Sequence, residues 1–100
     1  MIRYFAYGSF LTGCRYHQHY LQGQKFLGKG SIEGYQKYIF GGLHGIYPHP
    51  GGRVKGEVYD IDPTALHKLE FIHGNFTRGP VEVEMENGDT LQADTFIWNG

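Results

Sequence analysis

The sequence predicts an α+β fold, a small mixed β-sheet curled into a barrel with helices at its rim. Three observations lead there. Glycine accounts for 16 of 100 residues against 4 prolines, and tyrosine and phenylalanine add 8 and 7, the composition of aromatic strands joined by tight turns. Alternating apolar and polar residues recur along the chain, while only one helix is well signalled. The strands also follow one another in runs, the order of α+β rather than of regularly alternating folds. The length fits one domain over residues 1–100 with one core.

In chain order, residues 2–7 (Ile-Arg-Tyr-Phe-Ala-Tyr) read as a buried first strand, stopped by Gly8. Gly8 to Gly13 reads as a turn, and a short helix from about Thr12 to Leu21 follows, poor in intrinsic helix formers. A strand is expected from Gln24 onward, then two short pieces at Ser31–Tyr35 and Gln36–Phe40. Gly41 to Gly52, rich in Gly and Pro, reads as a long irregular loop, of the kind that is usually functional or mobile. Arg53–Tyr59 alternates as a strand. Asp62-Pro63 is a strong helix start, an N-cap followed by proline at the first helical position, with Leu66, Leu69 and Ile72 on one face and an end near Gly74. Val81–Met85 and Leu91–Trp98 then form a hairpin about Asn87-Gly88.

Charge and cysteine content narrow the function classes. The formal net charge is −1 and cations are scattered singly, whereas tracking a phosphate backbone needs several on one face; nucleic acid is not expected as a partner. No apolar run approaches membrane length, and the apolar start is too short for a signal peptide. The lone Cys14 cannot pair within the chain, which fits a reducing, cytoplasmic setting. Cys14 reads as a buried or inert thiol, having no evident base. His17, His19, His44, His49, His67 and His73 show no zinc-type spacing, so no metal is expected.

Two features could carry chemistry. Glu70 follows Leu66 and Leu69 on the capped helix, within the stripe 66, 69, 70 and 73. That position expects partial desolvation, the condition in which a carboxylate works as acid or base near neutrality. The other reading is a helix glutamate reaching outward to pair with Lys or Arg. Tyr7-Gly8-Ser9 ends a strand in a turn whose backbone N–H groups could hold a carboxylate or oxyanion, or could be an ordinary turn. Glu57, on an alternating strand, reads as one side of a cross-strand ion pair.

Taken together these segments resemble the γ-glutamyl cyclotransferase-like superfamily. Tyr7-Gly8-Ser9-Phe10-Leu11 is similar to its substrate-loop motif, and Gly28 through Gly34 to its Leu-Gly-x-Gly-x-Ile-x-Gly-Tyr strand. Gly45-Ile46-Tyr47-Pro48 resembles its Gly-Tyr-Pro segment, and Val54 through Asp62 its Val-x-Gly-Glu-Val-Tyr-x-Val-Asp block. Leu66-His67-Lys68-Leu69-Glu70 falls on Leu-Asp-x-x-Glu, Phe76-Thr77-Arg78 on Tyr-x-Arg, and Thr95–Trp98 on the closing strand. His67 replaces an Asp, Phe71 a Gly, Phe76 a Tyr, and Phe10 an often polar residue.

The resemblance implies a β-barrel flanked by helices, with Glu70 catalytic and Tyr7, Gly8, Ser9, Phe10 and Leu11 binding substrate. It implies release of 5-oxoproline and an amine from a γ-glutamyl small molecule, without metal or cofactor. Two other classes stand beside it: a non-catalytic small-molecule-binding module of the same fold, and an aromatic β-barrel that binds an oligonucleotide or protein partner. The latter is disfavoured by the absence of clustered cations. The departing amine and the oligomeric state are not specified by the sequence.

Overall fold

Two long strands, β2 (Lys25–Phe40) and β3 (Leu43–Ile61), pair antiparallel and form the frame of the molecule. The computed structural model describes residues 1–40 and 43–99. Around this frame lie β1 (Ile2–Ala6), β4 (Phe76–Met85) and β5 (Thr90–Trp98), which close a barrel in the order β1-β3-β2-β4-β5. Every pairing is antiparallel except β1 with β5, which is parallel and shuts the barrel at Tyr4 and Asp94. The α+β barrel expected from the sequence is the fold observed.

A barrel whose outside is partly wrapped must bury both faces of some strands. Successive side chains on a strand point to opposite faces, so the unbroken apolar run of β1 divides between two cores. Phe5 joins Ile32, Val54, Val58, Val81, Val83 and Met85 inside the barrel. Tyr4 and Ala6 point outward to a second core with Tyr59, Ile61, Leu69 and Phe96. β1 can lie this close to β3 because residue 56 is glycine: a Cβ there would meet the Ala6 carbonyl oxygen at 2.2 Å.

The helices lie over the second core. α2 (Pro63–Ile72) starts as expected: the Asp62 carboxylate accepts from the Ala65 N–H at 2.8 Å, and Pro63 opens the first turn. Gln24 locks the same cap, donating to Asp62 Oδ2 at 3.2 Å and accepting from the Asp62 N–H at 2.9 Å. Ala65, Leu69 and His73, spaced four apart, form the buried stripe. The imidazole of His73 is 2% exposed, with Nδ1 at 2.7 Å from the Leu69 carbonyl. It stacks on Phe96 with ring centroids 4.3 Å apart.

Several sequence expectations needed correction. The two short pieces at Ser31–Tyr35 and Gln36–Phe40 are one strand, because β3 continues beside them with a register shift between Glu33 and Tyr35. The expected irregular loop over 41–52 is strand from Leu43 onward, its side of a long hairpin; Gly41 and Gly42 lie outside the described residues. Pro48 and Pro50 are accommodated near that register shift, where ladder hydrogen bonding is already interrupted. The helix expected over Thr12–Leu21 shrinks to α1 (His17–Tyr20). Chain 11–24 is instead a series of turns that spreads Phe10, Tyr16, Tyr20 and Leu21 over the outer core. β4 begins at Phe76, earlier than Val81, because it pairs with β5 along its whole length.

Burial lowers the His73 pKa from 6.5 to about 4, against the raising effect of the Leu69 carbonyl. Between those values the unfolded chain binds a proton that the folded chain does not, so stability falls as pH drops from 6.5 towards 4. The loss amounts to about 3 kcal/mol. We expect His73→Phe to flatten this limb: its urea midpoint should change much less between pH 7 and pH 4.5 than that of the parent. A parallel fall in both proteins would refute the assignment. Asp62→Ala should cost about 1–2 kcal/mol in the same titration at pH 7, as loss of an N-cap does.

Candidate functional site

The end of β1 turns into a short 3-10 turn, Gly8–Phe10, closed by Phe10 and Leu11 amides on the Tyr7 and Gly8 carbonyls at 3.3 and 3.2 Å. Gly8 has φ of +62°, and a Cβ there would lie 2.6 Å from the His44 Cβ. Both the left-handed backbone and the close approach require glycine.

Each residue of this loop is fixed separately. The Tyr7 ring enters the barrel core, and its hydroxyl donates to the Phe96 carbonyl at 2.7 Å. Burial raises the Tyr7 pKa well above its ordinary value, so the hydroxyl remains a donor at neutral pH. Ser9 Oγ lies 2.8 Å from His44 Nδ1. Phe10 points into the outer core, 5.2 Å from the His73 ring and close to Tyr16 and Tyr20. Leu11 borders a cleft of about 640 Å³ that also contains Thr12, Cys14, Lys29, Lys55 and Glu57.

Glu57 lines that cleft together with Glu84 and Glu86, and its environment differs from the expected ion pair. It is 7% exposed, and Oε1 accepts from the Thr12 N–H, the Thr12 hydroxyl and the Tyr59 hydroxyl, each at 2.9 Å. Lys29 is its cross-strand partner in register, yet Glu57 is held by Thr12 and Tyr59. The outer face of β3 is covered here by the chain after the loop, so an outward side chain meets protein rather than water. Burial, aided by Glu57 and opposed by the Thr12 hydrogen bond, raises the Tyr59 pKa to about 12 and keeps it a donor to Glu57. Cys14, expected buried or inert, is exposed.

Glu70 stands at the edge of α2, and the expected desolvation is corrected. Its side chain is 48% exposed, and Oε2 lies 3.9 Å from Arg78, which in turn contacts Asp94 at 3.7 Å. The inward stripe runs through Ala65, Leu69 and His73, leaving position 70 on the flank. That flank is not remote from the loop. Glu70 and His73 are neighbours at i and i+3, with Cβ atoms about 5–6 Å apart, and His73 touches Phe10. Arg78 and Phe96 are opposite in the β4–β5 register. The Glu70 carboxylate and the Tyr7 hydroxyl therefore engage the two residues of one rung.

Sequence reasoning missed Glu57, Thr12 and His44. Simple alternation assigns Glu57 to a solvated face, because it does not register that later chain covers a strand's outside. The need for glycine at position 8 signals that a side chain abuts it, but the identity of that side chain depends on the hairpin. Among the described residues no three His, Cys, Asp or Glu are grouped to hold a metal ion, and no helix is long and apolar enough to cross a membrane.

Removing the Glu57 carboxylate leaves the Thr12 amide and the Tyr59 hydroxyl unpaired. We expect Glu57→Ala to lower unfolding free energy by about 2–3 kcal/mol in urea titration, and Lys29→Ala by about 0.5 kcal/mol or less. The reverse order would restore the ion pair as the dominant interaction.

Comparison with known proteins bears on the whole arrangement. The profile of the family described as "Gamma-glutamyl cyclotransferase, AIG2-like" matches residues 4–100. A Pyrococcus horikoshii protein, named provisionally as a γ-glutamylcyclotransferase, is 34% identical over 98 residues, covering 97% of this chain and 77% of its own. A Methanocaldococcus jannaschii protein named in the same way is 29% identical over 98 residues, with coverage of 94% and 82%. The crystal structure of an AIG2-like mouse protein superposes with a TM-score of 0.85 over 99% of this chain and 78% of that one, at 24% identity, a likeness of fold. With its closed barrel, its glycine-turned loop and a family match over nearly its full length, the chain belongs to the AIG2-like γ-glutamyl cyclotransferase family.

Proposed function

We propose that the chain is a cytoplasmic γ-glutamyl or γ-glutamylamine cyclotransferase, working as a single domain over residues 1–100. Glu70 serves as acid and base, and the loop from Tyr7 to Leu11 binds substrate. The observation that carries the reading is the docking of the Glu70-bearing turn on the loop, through the His73–Phe10 contact at 5.2 Å.

The chemistry demands little of the protein beyond geometry and one movable proton. Glu70 takes a proton from the substrate's α-ammonium. The freed amine attacks the γ-carbonyl carbon of the same molecule, forming the C–N bond of a five-membered ring and a tetrahedral oxyanion. The ring nitrogen, cationic after the attack, sheds its surplus proton to water; the intermediate then collapses, the bond to the departing amine breaks, and Glu70 returns its proton to the leaving nitrogen. Both reacting groups belong to one molecule, so holding it folded supplies effective molarities of about 10⁵ M or more. Backbone N–H groups of the loop are suited to the substrate carboxylate or the oxyanion. No metal or redox group enters this sequence of steps. The contact from Arg78 to Glu70, at 3.9 Å, is too long for a hydrogen bond, so it orients the carboxylate without occupying its acceptor positions.

One observation favours the alternative, a binding module of the same fold without turnover: Glu70 is half exposed and faces a cation, a setting less suited to a base than a desolvated one. A single assay separates them. Across a panel of γ-glutamyl amines and γ-glutamyl amino acids, release of 5-oxoproline is expected for at least one member. Glu70→Gln should lower kcat on it by about 10²–10⁴-fold while leaving the thermal midpoint nearly unchanged. Full turnover by Glu70→Gln would end the assignment of that residue, and binding without release across the panel would favour the module.

A further inference from the structure

We propose that His44 is a positioning residue that clamps the substrate loop from the β2–β3 hairpin, holding Ser9 by hydrogen bond and Gly8 by contact. The inference rests on the reading of residues 7–11 as the substrate loop, and it adds a residue that neither the family motifs nor the acid–base assignment includes.

Three observations carry it. His44 Nδ1 is 2.8 Å from Ser9 Oγ, a short side-chain bond joining residues 35 apart in the chain. The His44 ring lies flush against the α-carbon of Gly8, where a Cβ would meet its Cβ, Cγ and Nδ1 at 2.6 to 2.7 Å. His44 sits in register opposite Ile39, so the β2–β3 ladder fixes the backbone from which it reaches the loop. Burial first, and the nearby Lys37 charge second, depress the His44 pKa, so the ring is neutral at pH 7 and can pair with a hydroxyl through Nδ1.

A serine and a histidine in hydrogen-bond reach also describe a nucleophile and its base. Here the attacking nitrogen belongs to the substrate, so the reaction has no step for an enzyme nucleophile. Steric contact with Gly8 adds a constraint that an activating base would not need. Fixing Gly8 and Ser9 sets the direction of the N–H groups that follow them, and a small displacement of such donors is costly. His44 therefore acts through the loop and governs how well substrate is held.

The isosteres make the test sharp. Asparagine places an amide atom where Nδ1 lies, whereas glutamine places one where Nε2 lies. On the best γ-glutamyl substrate, His44→Ala and His44→Gln should raise KM about tenfold with kcat changed less than about threefold, and His44→Asn should return KM to near the parent value. Ser9→Ala should add little to His44→Ala, since the two remove one interaction. A second readout is independent of turnover: hydrogen exchange at the Phe10 and Leu11 amides should accelerate about tenfold or more in His44→Ala and not in His44→Asn. Unchanged exchange in His44→Ala, or failure of asparagine alone to rescue, overturns the clamp. If exchange accelerates but no γ-glutamyl compound is turned over or bound by the parent, the clamp stands and the cyclotransferase reading falls.

Discussion

The stack of Phe10, His73 and Phe96 is the contact on which the rest of the arrangement depends. Three rings from three separate segments meet there: the loop after β1, the end of α2, and β5. His73 lies nearly parallel to Phe96, with 4° between the planes. Its Nδ1 is engaged by Leu69, and its Nε2 is buried with no hydrogen-bond partner among the described residues. An imidazole so placed is tolerable only when neutral, because charge would be stranded among aromatic faces. In exchange it fixes both the distance and the angle at which α2 meets the loop. A phenyl ring could supply the stacking; the carbonyl bond that fastens the helix's last turn needs the imidazole.

That contact makes the barrel's outer face the organising surface of the site. Small barrels ordinarily keep chemistry at the mouth and leave the outside to solvent. In this chain the outside of β1, β3 and β5 is covered by residues 8–24 and by α2, which makes a second core. The loop is then tied at three places, by two strands that are far apart in sequence. Tyr7 is held by β5, Ser9 by the start of β3 and Thr12 by its last third, through partners 89, 35 and 45 residues away. Such a loop is shaped in advance, and on the proposed reading it meets substrate without the ordering cost that a mobile loop incurs on binding. For a reaction whose difficulty is folding the substrate correctly, prior shape is the main thing a protein can contribute.

Glu57 and Glu70 show how environment divides the work between two carboxylates. Glu57 is buried and surrounded by donors that tie the loop to the barrel. Its Oε1 is already occupied by three hydrogen bonds. Glu70 is half exposed and contacts a guanidinium beyond hydrogen-bond distance. Its lone pairs remain available, while its surroundings lack the desolvation of a typical buried base. The same residue type therefore serves as a structural fastener in one place and is accessible in the other, and which is which depends on the chain covering β3.

The sequence by itself determined the barrel class, the capped start of α2 at Asp62 and Pro63, the alternation of Val81, Val83 and Met85, and the turn at Gly8. Each is decided by local physics: a side-chain cap, a fixed proline φ, the two-residue period of a strand, a backbone angle that disfavours a Cβ. Only the tertiary structure decided that residues 25–40 form one strand, that the glycine- and proline-rich stretch beyond Gly42 pairs with it, and that Glu57 is enclosed and Glu70 is not. Pairing supplies hydrogen bonds from a distant partner, and enclosure depends on what later chain lays over a face. Neither is encoded within the few residues concerned, so no local pattern could have revealed them.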